Sequence, residues 1–132
     1  MAHTIDSFLA ENSGSCELPS FPDYIKDLCK SRGEKPEQVI KRCDIERTFG
    51  HRLFTGERNP SRDTVLQLAF GFSLTTDETQ QLLKAAQVMG LHPKVKRDAI
   101  IAYCLHNGKT LIETQQILHD NDLPLIGGAR NG

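Results

Sequence analysis

Between Pro36 and Gly56 the chain has room for two helices and almost nothing to join them. Val39, Ile40 and Cys43 share one face of a two-turn helix that opens at Pro36, a residue suited to a first turn, and ends near Asp44. A second pattern runs from about Glu46 to Thr55, with Ile45, Phe49 and Leu53 spaced by four and Gly56 placed to close it. Helices joined by a corner of about three residues must cross steeply, so the second turns an outer face away from the core. With Ile45, Phe49 and Leu53 assigned inward, that outer face carries Arg47, Thr48, His51, Arg52 and Thr55.

The same periodicity continues along the chain, and no segment shows the sustained alternation or clustered β-branched residues of a strand. The expected fold class is all-α. A helix of about three turns starts near Pro22, places Ile25, Leu28 and Cys29 on one face, and stops at Gly33. Ser61 is placed to cap a fourth helix carrying Val65, Leu66, Leu68, Ala69 and Phe72. Thr75 with Glu78 makes a capping box for a fifth, with Leu82, Leu83, Ala86 and Met89 inward. Pro93 opens a sixth with Val95, Ala99, Ile100, Ala102 and Tyr103 inward, and Thr110 with Glu113 caps a seventh carrying Leu111 and Leu118.

The expected organisation has four parts. Residues 1–20 form an N-terminal arm or short helix plus linker, and 21–90 a five-helix domain. Residues 91–122 form a two-helix extension that packs on the core or makes a dimer interface, and 123–132 a flexible tail.

Charge is unevenly spread. From Lys30 to Arg62 there are nine basic and five acidic residues, so this segment is +4 inside a chain of net charge −1, leaving −5 for the rest. A basic module in an acidic body suits a protein with one face turned to phosphate. The four cysteines (Cys16, Cys29, Cys43 and Cys104) show no C-x-x-C and no histidine pair at ligand spacing, so they are expected to be reduced packing residues. His51, His106 and His119 are dispersed, and no glycine-rich phosphate loop follows a strand. Neither catalysis nor a metal or cofactor is expected. The first ten residues contain no Lys or Arg and lack the apolar core of a secretory signal, and no run spans a bilayer, so the expected location is the cytoplasm.

The stretch leaving the third helix, TGERNPSRDTVLQLA, carries Gly56, Arg58, Asn59, Pro60, Ser61, Thr64, Val65, Leu68 and Ala69. In these residues, and in the order of helix lengths before them, the chain from about Phe21 to Met89 resembles the lambda-repressor-like Cro/Xre family of helix-turn-helix regulators. The resemblance implies a five-helix lambda-repressor-like domain that binds double-stranded DNA as a homodimer. Base-reading positions would then be Arg47, Thr48 and Arg52, with His51, Thr55, Gly56, Arg58 and Asn59 at the DNA backbone.

The chain departs from the family pattern in several places. Glu46 stands where a Ser or Thr commonly caps the recognition helix, Asp44 replaces the corner glycine, and Pro36 replaces a frequent Gln. A cap at Asp44, starting the third helix a residue or two early, is the alternative reading of the corner. Gly50 takes the place of a core aliphatic at a cost of about 0.5–1 kcal/mol relative to alanine, with Phe49 expected to fill the space. The rival functional expectation is an adaptor or antitoxin-like module that keeps the fold while the C-terminal helices grip a protein partner.

Overall fold

The computed structural model describes residues 19–127 and, ahead of them, Ile5 alone. The expected arm over 1–20 therefore lies almost wholly outside the described residues, as do Cys16 and the tail beyond residue 127. Seven helices and no strand make up the described residues, as the periodicity requires. They are α1 (Phe21–Ser31), α2 (Pro36–Arg42), α3 (Arg47–Thr55), α4 (Arg62–Gly71), α5 (Thr76–Ala85), α6 (Lys96–His106) and α7 (Leu111–Asp120). No helix is long and apolar enough to cross a membrane.

Local capping chemistry sets most boundaries. The hydroxyl of Ser61 accepts the Thr64 N–H, and Thr75 and Thr110 exchange bonds with Glu78 and Glu113 in two complete capping boxes. Ser20 does the same for α1 by accepting the Asp23 N–H. The 3.6-residue periodicity of a buried face holds for α1, α2 and α4, where Ile25, Cys29, Val39, Ile40, Val65, Leu66, Leu68 and Ala69 are all buried. It holds only in part in α5, where Leu82 and Leu83 are buried, and in α6, where Ile100 and Ala102 pack against the core. Gln87 has a left-handed backbone with φ 58°, α5 stops at Ala85, and Met89 is exposed. In α6 the inward face is Ile101, Cys104 and Leu105, while Val95 and Tyr103 are exposed, because the helix begins at Lys96 rather than Pro93 and turns Asp98 into the core.

Helix α4 is the centre. Its residues Thr64 to Gly71 are all buried, with α2 packed on it from one side and α5 and α7 from the other. Gly71 is where α2 comes closest: a β-carbon there would lie 2.1 Å from Cys43 Sγ and 3.4 Å from the Val39 carbonyl oxygen. Gly50 plays the same part between α3 and α2, with Ile40 side-chain atoms 2.7–3.0 Å from where a β-carbon would sit. The expected filling by Phe49 is thus replaced by Ile40, and the helix cost of this glycine is offset by contact.

Two ion pairs cross between the start of α4 and the start of α6. Arg62 donates to Asp98 at 3.2 and 2.7 Å, and Arg97 donates to Asp63 at 3.2 and 3.1 Å. Adjacent residues on one helix thereby hold adjacent residues on the other with the signs exchanged. Arg62 also donates to the carbonyls of Met89 and Gly90, and Asp98, 4% exposed, accepts the His92 N–H. Burial pushes the Asp63 carboxyl up, but Arg97, the Gly127 N–H and the nearby Arg62 outweigh it and leave it below its ordinary value.

The flexible-tail expectation is corrected for residues 123–127. Ile126 is buried, its N–H and C=O both bonded by the Gln115 side chain at 2.8 Å. Arg97 donates to the carbonyls of Pro124 and Leu125, and Gly127 N–H donates to Asp63. Polar side chains distant in sequence satisfy this backbone, which is why local composition reads it as loose.

Two stability tests follow. Asp98→Ala strands a largely buried Arg62 and is expected to cost about 3 kcal/mol or more in urea unfolding. Gly71→Ala is expected to cost about 1–3 kcal/mol by overpacking, part of which the added Cys43→Ala change restores by removing the sulfur it strikes.

Candidate nucleic-acid interface

The corner between α2 and α3 is Cys43–Glu46, four residues long rather than three. Asp44 adopts the left-handed conformation with φ 56°, the one a corner glycine would supply, and aspartate tolerates it better than most residues. Capping at Asp44 is therefore excluded. Glu46 is the cap: its carboxylate accepts the Thr48 N–H at 2.8 Å and the Phe49 N–H at 2.9 Å, and α3 begins at Arg47. Those two bonds hold the Glu46 carboxyl below its ordinary 4.5. The corner is tied to the core from α4, whose buried Gln67 donates to the Asp44 carbonyl at 3.1 Å. Arg42, just before it, donates to the Gly71 carbonyl at 2.9 Å and pairs with Glu34.

Gly50, Leu53 and Phe54 form the buried face of α3. Of the three residues expected inward, Leu53 is buried, while Ile45 and Phe49 are only half-buried. The side-chain-free Gly50 lets Ile40 into α3, rotating Phe54 inward and Phe49 toward the rim. Ile45 and Phe49 there line an apolar groove of about 870 Å³ between the start of α3 and the start of α4, with Asn59, Gln67 and Gly127 also on its walls.

The rotation leaves the expected outer face intact. Arg47, Thr48, Arg52 and Thr55 are exposed and His51 is half-exposed. Gly56, with φ 85°, closes α3, and Arg58 and Asn59 are exposed in the loop beyond it. All eight residues singled out from the sequence thus lie along α3 and the loop that leaves it.

Their charge is less free than the sequence sum suggests. Glu37, in the first turn of α2, accepts from Arg47 Nε at 3.0 and 3.2 Å, from Arg47 Nη2 at 3.1 Å, and lies 3.2 Å from His51 Nε2. The Arg47 bonds first, then that of His51, pull its carboxyl down to about 2. Arg52 lies 3.8 Å from Glu57, whose carboxylate also accepts the Thr55 hydroxyl. Arg32, Arg42 and Arg62 pair with Glu78, Glu34 and Asp98. Arg58 makes no ion pair among the described residues.

Sequence reasoning missed Glu37 and Gln67. Glu37 is legible only once α2 and α3 are placed side by side, since its partners lie 10 and 14 residues away. Gln67 occupies an inward position of α4, where a polar side chain is itself the signal that something buried needs a donor. Cys29, Cys43 and Cys104 are free and buried, and burial pushes the Cys43 thiol up to about 12, which suits packing and not nucleophilic chemistry. Among the described residues no three His, Cys, Asp or Glu side chains gather where a metal ion could be held.

No protein-family model, curated protein or solved structure matches the chain.

The Glu46 cap has a pH signature. A carboxyl lowered in the folded state stabilises above its unfolded value and loses that effect as pH falls through the folded value. Glu46→Gln is therefore expected to melt below the parent at pH 7, with the two melting curves converging below about pH 4. A gap that persists in acid would assign the effect to packing.

Proposed function

We propose that this protein is a sequence-specific DNA-binding transcriptional regulator of the Cro/Xre type, reading the major groove as a homodimer. In this reading α2 and α3 are the helix-turn-helix, within a lambda-repressor-like domain extended by α6 and α7. The observation that carries it is the exposed row of Arg47, Thr48 and Arg52 on a helix that buries its other side, continued by Arg58 and Asn59 in the next loop. A helix of nine residues rises about 13 Å, and the major groove is about 12 Å wide. Arg47 and Arg52 suit guanine edges, Thr48 a base edge or thymine methyl, and the loop residues with His51 and Thr55 the phosphates.

An adaptor or antitoxin-like role is the second reading. Favouring it are the apolar groove lined by Ile45 and Phe49, the carboxylates of Glu37 and Glu57 beside the arginines, and the exposed Tyr103 and Ile112 on the extension. The two readings differ in ionic behaviour. DNA binding predicts a log-log salt slope near −0.9 per phosphate contact, whereas an adaptor binds no duplex even at low salt.

Sequencing fragments selected from random DNA by the purified protein is expected to enrich two half-sites related by two-fold symmetry. On that site Arg47→Ala or Arg52→Ala should each lose about 1–3 kcal/mol, while Arg58→Ala weakens all sequences evenly and reduces the salt slope by about 1. No enrichment, or unchanged affinity in both arginine variants, contradicts the assignment.

A further inference from the structure

We infer that Glu37 is a specificity-determining positioning residue, which holds Arg47 so that the free edge of its guanidinium is presented to a guanine in the major groove. This rests on the DNA-binding reading above and adds to it the base and the residue that sets the choice.

An arginine reads guanine by donating two parallel N–H bonds to O6 and N7, and it has two edges able to do so. Glu37 occupies one of them, the edge formed by Nε and Nη2. The Nη1 edge makes no hydrogen bond among the described residues, on a side chain that is 73% exposed. A bare arginine on a helix surface is a mobile cation that meets phosphate and base alike. Clamped at one edge, its plane is fixed, and only a ligand with two acceptors in that plane is met squarely.

Glu37 is itself held in place. It sits in the first turn of α2, where a negative charge is favoured by the helix N-terminus. Its Oε1 is also shared with His51 Nε2, so two side chains from successive outer positions of α3 converge on one carboxylate. Glu46, the other carboxylate nearby, is spent on backbone N–H groups at the α3 cap. Glu37 alone therefore acts on the arginine.

A carboxylate near phosphate also repels DNA of every sequence, so positioning and repulsion must be separated. The experiment uses the full chain and the duplex selected from random DNA, titrated by fluorescence anisotropy against variants substituted at each base pair and against an unrelated duplex. The base pair at which Arg47→Ala loses discrimination is expected to be G·C. Glu37→Gln and Glu37→Ala are expected to lose discrimination at that same pair by about fivefold or more, and to bind unrelated DNA as well as or better than the parent. In the Arg47→Ala background, Glu37→Ala should change discrimination no further, an outcome a merely structural role would not give. Glu57→Gln, which removes the carboxylate beside Arg52, should leave discrimination at the Arg47 pair unchanged.

Equal gains by the Glu37 variants on specific and unrelated DNA would overturn the proposal and leave simple repulsion. An effect that persists without Arg47, or an Arg47 base pair that is not G·C, would overturn it too. A parent protein that binds no DNA overturns the reading beneath, and this is seen before any variant is made.

Discussion

A helix buried on every side cannot stand at the edge of a domain, and α4 is such a helix from Thr64 to Gly71. Elements are therefore needed on both of its flanks. Packed on one side are α2 and, through it, α3; on the other are α5 and α7, with α6 between them. The two C-terminal helices are thus part of the same core as the first five, and Ile101, Cys104, Leu105, Leu111 and Leu118 share it with Leu66 and Leu68. The crossed pairs Arg62 with Asp98 and Asp63 with Arg97 fix how α6 meets α4, at the start of both helices. Charges so placed cost solvation, and they are retained here with nearly every donor used.

Fixing α4 fixes the platform for α3. Gly71 and Gly50 let α2 approach α4 and α3 approach α2 more closely than any side chain would permit. Gln67 and Arg42 then bond the corner and the end of α4 together. What remains outside this scaffold is one face of α3 and the loop after it. The charges there form local pairs with α2 and with the loop, so the field this face projects is more structured than a net +4 conveys.

Much of this was legible in the sequence because helix signals are local. Ser61, Thr75 with Glu78, and Thr110 with Glu113 each announce a helix within four residues, and each cap forms. The outer face of α3 was legible for the same reason. The inner face was misread because its phase depends on Ile40 entering beside Gly50, a contact between helices. Asp44 and Glu46 are each an unusual choice alone, and only together do they form a left-handed corner followed by a carboxylate cap. The docking of residues 124–127 and the inward turn of Asp98 depend on partners 11 to 64 residues away, which no periodicity encodes.

The central claim is that α3 and its exit loop form the surface that meets DNA. Amide chemical shifts of the protein, followed by NMR during titration with the selected duplex, test it residue by residue. The account predicts perturbations concentrated on Arg47 to Asn59, with the buried end of α7 around Leu118 unmoved. Shifts confined to α6 and α7, or none at all at low salt, would contradict it.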